Sequence, residues 1–101
     1  MAQALFDAID PQIEREVRTL VETKAAPFKI DRFVLRVGEH ADGEETIFVD
    51  VWHPLTDAPV DARQVLEVQF AVRELLIRNG EWRFPLVRQH FADGQRFGTA
   101  A

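Results

Sequence analysis

Few residues in this chain could do acid–base or metal chemistry: three histidines, His40, His53 and His90, and a set of carboxylates headed by Asp50. Asp50 stands between Phe48 and Trp52 in an alternating run. A carboxyl group among aromatic side chains can be pushed toward neutrality and serve as a general acid or base. Arg32 or Arg36 on a neighbouring strand offers it a plainer fate, a cross-strand ion pair. Three imidazoles with a carboxylate suit zinc. Their spacing does not, since no two histidines fall at HxH or at i, i+4. Three surface or boundary histidines near turns are therefore expected, with no metal and no cofactor. The acidic run Glu39, Asp42, Glu44, Glu45 misses the calcium-loop pattern and reads as a solvated turn.

Absent residue types narrow the chemistry further. The chain has no cysteine, no tyrosine and, reading along it, no serine. Disulfides, thiolate nucleophiles and any Ser-His-Asp or Cys-His arrangement are excluded together. The five glycines are scattered, and no glycine-rich phosphate loop occurs. Thr, His, Lys and the carboxylates remain as candidates for covalent catalysis, and a third reading is a small acid–base or metal-assisted enzyme built on Asp50 and the histidines.

Charge is unevenly spread. Residues 1–61 carry six basic and 13 acidic side chains, net −7, whereas residues 62–101 carry six basic and four acidic, net +2, giving −5 for the whole chain. Phosphate neutralisation dominates nucleic-acid affinity, so an acidic domain is a poor general binder of nucleic acid. A second reading keeps that function open through the basic C-terminal strand, with Arg78, Arg83 and Arg88 as the contacts. Met1–Asp10 lacks a basic stretch followed by an apolar core, and no apolar run approaches membrane-helix length. A cytoplasmic protein is expected, with no membrane partner.

The elements that must position these residues follow from periodicity. At 101 residues with 47% hydrophobic content, one folded domain spanning 1–101 is expected. Asp10-Pro11 opens a helix over about 10–25, with Ile13, Val17, Leu20 and Val21 on one stripe and Phe6 and Ile9 available to fold back on the core. A hairpin follows over about 29–53, turned at Asp42-Gly43. Asp61 with Gln64 forms a capping box for a second helix over about 61–79, closed by Asn79-Gly80. Its main stripe is Val65, Val68, Val72, Leu75 and Leu76; Leu66, Phe70 and Ile77 broaden it, as in a central helix or one that meets a second surface. The last strand lies over about 82–91, an edge because Pro85 cannot donate to a ladder, with Trp82, Phe84 and Leu86 facing the core. A turn and a loose tail end the chain.

The predicted class is α+β, in the order α-β-β-α-β, with a three-stranded sheet and both helices packed on one face. Several unrelated functions share this order, KH-like folds among them, but the GxxG loop of a KH module is missing. Phe33, Leu35, Val37, Ile47, Val49 and Val51 alternate onto the core face. The opposite face then carries Phe48 and Trp52 beside Arg32 and Arg36, an aromatic-plus-arginine composition that protein interfaces favour. Arg83, Val87 and Phe91 join them as the outward side of the last strand. The expected function is a non-enzymatic protein-binding or accessory module that dimerises through its sheet face or edge strand and engages another protein.

Overall fold

Helix α1 begins where the sequence supplies a cap. The Asp10 carboxylate accepts from the Gln12 N–H at 2.7 Å, and Pro11 takes the first helical position, where no N–H is missed. In the computed structural model, which describes residues 9–98, α1 spans Pro11–Lys24 and turns Val17 and Val21 fully inward. Ile9 is buried against the same core, while Phe6 lies outside the described residues. Strands β1 (Arg32–Glu39) and β2 (Glu45–His53) then form the antiparallel hairpin. Gly43 adopts φ +87°, a conformation costly for any residue with a Cβ, and the His40 N–H closes the turn onto the Glu44 carbonyl at 2.9 Å.

A two-residue strand β3 (Val60–Asp61) leads directly into helix α2 (Ala62–Arg78). Asp61 caps α2 by accepting from the Arg63 N–H at 2.8 Å. Gln64 does not complete the capping box. Its amide donates instead to the Lys24 and Ala26 carbonyls, fastening the start of α2 to the end of α1. At the far end Gly80 takes φ +78°, and the Gly80 and Glu81 N–H groups bond to the Ile77 and Leu76 carbonyls, which is the Schellman closure.

Strand β4 (Phe84–Phe91) returns parallel to β2, so the sheet order is β1-β2-β4 with α2 as the crossover. Ile47, Val49 and Val51 are fully buried, packed with Val17, Val21, Val68, Val72 and Leu76 of the two helices. The α+β architecture is thus the expected one, with the helical layer on the expected face. Among the described residues no helix is long and apolar enough to cross a membrane.

Two expectations need correction. Trp82, Phe84 and Leu86 are not the core-facing set: Trp82 is 72% and Phe84 49% exposed, while Pro85 is fully buried and Val87 packs against the core. The reason lies further along the strand. One parity of β4 carries Phe84, Leu86, Arg88 and His90; the other carries Pro85, Val87, Gln89 and Phe91. Turning the first set inward would bury a guanidinium and an imidazole among valines, which costs more than exposing two apolar side chains. As far as Gly98 the tail is not loose either, and residues 99–101 lie outside the described residues. Phe97–Gly98 forms β5, parallel to β3, and the buried Gln95 side chain accepts from the Thr56 N–H and donates to the Ala58 carbonyl.

The free edge of β4 is closed at its start by a side chain. Gln69 of α2 donates from Nε2 to the Pro85 carbonyl at 2.8 Å and accepts at Oε1 from the Val87 N–H at 2.9 Å. One amide thus stands in for a neighbouring strand. Gln69→Leu keeps the volume and removes both bonds, leaving a half-buried backbone donor and acceptor unpaired. The expected cost is about 1–3 kcal/mol, read as a lower urea midpoint at unchanged slope; an unchanged midpoint would show that the bridge adds nothing.

Candidate interaction surfaces

The sheet face opposite the helices is built from alternate residues of three strands: Arg32, Val34 and Arg36 from β1, Phe48, Asp50 and Trp52 from β2, and Leu86, Arg88 and His90 from β4. Among the described residues no helix covers it, yet Phe48 is only 6% exposed. Its own arginines do the covering. The Arg36 and Arg88 guanidiniums lie 4.2 and 5.1 Å from the centroid of the Phe48 ring. Arg32 sits 4.8 Å from the Trp52 ring, against which His90 stacks at 4.7 Å with planes 17° apart. Gly38 makes room for this layer, since a Cβ there would meet the Phe48 ring at 3.2 Å and the Arg36 guanidinium at 2.9 Å.

Asp50 sits at the centre of this face, buried, with both oxygens engaged. Arg88 grips it in a fork, Nε to Oδ1 and Nη2 to Oδ2, each at 2.8 Å, and His90 Nε2 donates to Oδ1 at 2.9 Å. The expected ion pair is therefore present, but its cation comes from β4, where Arg88 stands opposite Asp50, and not from Arg32 or Arg36. Hydrogen bonds from Arg88 hold the Asp50 carboxyl below its ordinary value, against the opposing effect of burial, and His90 adds to the same lowering. Arg88 is held correspondingly more firmly in its charged form. A carboxylate stabilised as the anion, with its lone pairs committed, is arranged as a charge lock.

The residues named from sequence divide into two groups. Arg32, Arg36, Phe48 and Trp52 share the open face. Arg83, Val87 and Phe91 do not. Val87 points to the helices; Phe91 stacks on His53 at 4.9 Å and meets Phe28 edge-on, on the helix side of the sheet. Arg83, before β4 begins, has a side chain only 6% exposed and forks onto Glu81, with Glu45 at 3.6 Å. The bonds from Arg83 hold the Glu81 carboxyl below its ordinary value as well. Arg78, Arg83 and Arg88 therefore form no patch of unpaired cations: each faces a carboxylate, Glu74, Glu81 and Asp50 respectively.

The histidines are equally dispersed. His40 is exposed beside Asp42, whereas His53 is buried and not at the surface, with Nδ1 2.7 Å from the Lys29 carbonyl and Nε2 2.8 Å from the Gln89 side-chain amide. Among the described residues no three His, Asp or Glu side chains converge as a metal ligand set.

A different surface stands out in three dimensions. Of the seven large apolar side chains left exposed among the described residues, five lie together: Leu66, Phe70 and Ile77 along α2, and Trp82 and Phe84 at the entry to β4. Arg73 bridges the two parts, its guanidinium 5.4 Å from the Phe84 ring. Trp82 and Phe84 form a ridge with a cavity on either side. One, of about 450 Å³, is shared with Arg73 and Ile77; the other, of about 340 Å³, runs toward Asp42 and Glu44 of the hairpin turn. The breadth of the α2 stripe was the sequence signal for this surface; its continuation onto Trp82 was hidden by the wrong parity of β4.

No family model, curated protein or solved structure matches the chain.

The Asp50 lock has a pH signature. Because the folded chain holds this carboxyl below the ordinary 3.8, folding favours the anion. The contribution is complete above about pH 5 and is lost as pH falls through 3.8 toward the lower folded value. Asp50→Asn should lower the urea midpoint at neutral pH and flatten the wild-type decline between about pH 5 and pH 3. Glu81 leaves a residual slope of the same sign. A variant as acid-sensitive as the wild type would show that Asp50 carries no such contribution.

Proposed function

We propose that this chain is a small non-enzymatic protein-binding module of the cytoplasm that self-associates and serves as an accessory subunit to another protein. The observation that carries this reading is the apolar surface formed by Leu66, Phe70, Ile77, Trp82 and Phe84. On the open sheet face, by contrast, arginines already cover the aromatic rings, and Phe48 has little surface left to offer.

Size supports a second copy as the occupant. Phe70, Trp82 and Phe84 are 62%, 72% and 49% exposed; at about 150–250 Å² per aromatic side chain they leave roughly 350 Å² uncovered per copy. Two copies contribute roughly 700 Å², and with Leu66 and Ile77 approach the apolar share of a standard interface of about 1,600 Å². A patch this apolar needs an equally apolar complement, and each copy carries one. The carboxylates lock salt bridges or lie in solvent, which supports a binding role over catalysis.

Phe70→Glu places a charge in the middle of the band on an exposed helical position, where the fold tolerates it. Light scattering at micromolar concentration should show the wild type as a dimer and Phe70→Glu as a monomer. Trp52→Ala, on the open sheet face, should remain dimeric. A wild-type chain that stays monomeric, or a dimer broken by Trp52→Ala and not by Phe70→Glu, would overturn the assignment.

A further inference from the structure

We propose that the free edge of β1 is a docking site for an extended, acidic segment of a partner protein, which joins the sheet as a fourth strand. This surface lies at the opposite edge of the sheet from β4, so the inference does not rest on self-association through α2.

Backbone geometry supplies the first half of the argument. In the β1–β2 register His40 pairs with Glu44 through a 2.9 Å bond, so the even-numbered residues of β1 turn their backbone groups toward β2. The N–H and C=O groups of Phe33, Leu35 and Val37 therefore point outward, and none has a partner among the described residues. Strand β1 is eight residues long and contains no proline. The β4 edge, by comparison, is closed at its start by Gln69 and interrupted there by Pro85. An edge of the β1 kind is a template for strand addition.

Charge supplies the second half. Arg32 and Arg36 stand on the open face of β1, and neither meets a carboxylate among the described residues. Both guanidiniums lie over aromatic rings, which fixes their position while leaving their in-plane N–H donors free. An added strand would set alternate side chains about 4.5–5.5 Å from Arg32, Val34 and Arg36. The matching segment carries an acidic residue, an apolar residue and an acidic residue at successive alternate positions.

A second copy of β1 fits poorly. Of the antiparallel registers that bring the outward backbone groups together, those centred on Phe33 and Val37 set no carboxylate opposite Arg36, and the one centred on Arg36 opposes two Arg36 side chains. That centred on Val34 opposes Arg32 to Arg36, and that centred on Leu35 opposes Asp31 to Glu39.

The probe is the capped peptide Thr-Glu-Thr-Val-Thr-Glu-Thr, titrated into the ¹⁵N-labelled full chain. The amides of Phe33, Leu35 and Val37 should shift and gain protection from hydrogen exchange. The lysine analogue Thr-Lys-Thr-Val-Thr-Lys-Thr should bind at least about tenfold more weakly. The double variant Arg32→Glu, Arg36→Glu should reverse that preference, and Phe70→Glu should leave it unchanged. Because the two peptides are compared on the wild type, the result stands even if the double variant fails to fold. Equal binding of both peptides, or no shift at millimolar peptide, overturns the proposal. So does octathymidylate moving these signals where the acidic peptide does not. Protection that rises with protein concentration alone assigns the edge to a second copy and overturns it too.

Discussion

A carboxylate placed on the central strand of a three-stranded sheet constrains everything around it. Asp50 is buried, and an unpaired anion there would cost several kcal/mol. Its neutralisation falls to β4, which supplies Arg88 as the cation and His90 as a further hydrogen-bond donor, and this requires the parallel register that sets Asp50 opposite Arg88. That requirement fixes the parity of the whole strand. Pro85 and Val87 must then face the helices, and Phe84 must turn away from them. The apolar ridge at the mouth of β4 is thus a by-product of satisfying one charge.

The same constraint explains why a sheet with helices on one side only does not present bare aromatics on the other. Arginine is weakly hydrated for a cation and stacks on rings, so Arg36 and Arg88 can shield Phe48 without giving up water to the extent that lysine would. Arg88 serves twice, clasping Asp50 through the edge of its guanidinium and covering Phe48 with its face. Among the described residues Arg32 and Arg36 have only the ring contact, which makes them the cations of this face still able to accept a carboxylate.

Much of the fold was legible in the sequence because local signals agreed with tertiary need. The Asp10 cap, the Gly43 turn, the Gly80 closure and the alternation of Ile47, Val49 and Val51 each depend on a few adjacent residues. What stayed hidden depends on distant pairs. Gln64 looks like a capping-box residue until the end of α1 is seen beside it. The parity of β4 cannot be settled from Trp82, Phe84 and Leu86, because the deciding charge lies across the sheet on β2. Gln95 shows no periodic sign of burial, yet it organises the tail through bonds to residues almost forty positions away. The aromatic and arginine residues of the open face are legible as a set from their alternation; their satisfaction of one another is not, because it depends on pairing across β1, β2 and β4.

The bridge from Gln69 to β4 bears on how this molecule could assemble. Sheets polymerise when both margins can receive a strand, since each addition then regenerates an acceptor. Here one margin is occupied by an amide from the chain's own helix and holds a proline that has no hydrogen to give. A strand arriving at the Pro85–Val87 end of that margin would have to displace Gln69 and would still find no donor at Pro85, so the two margins of this sheet are not equivalent acceptors.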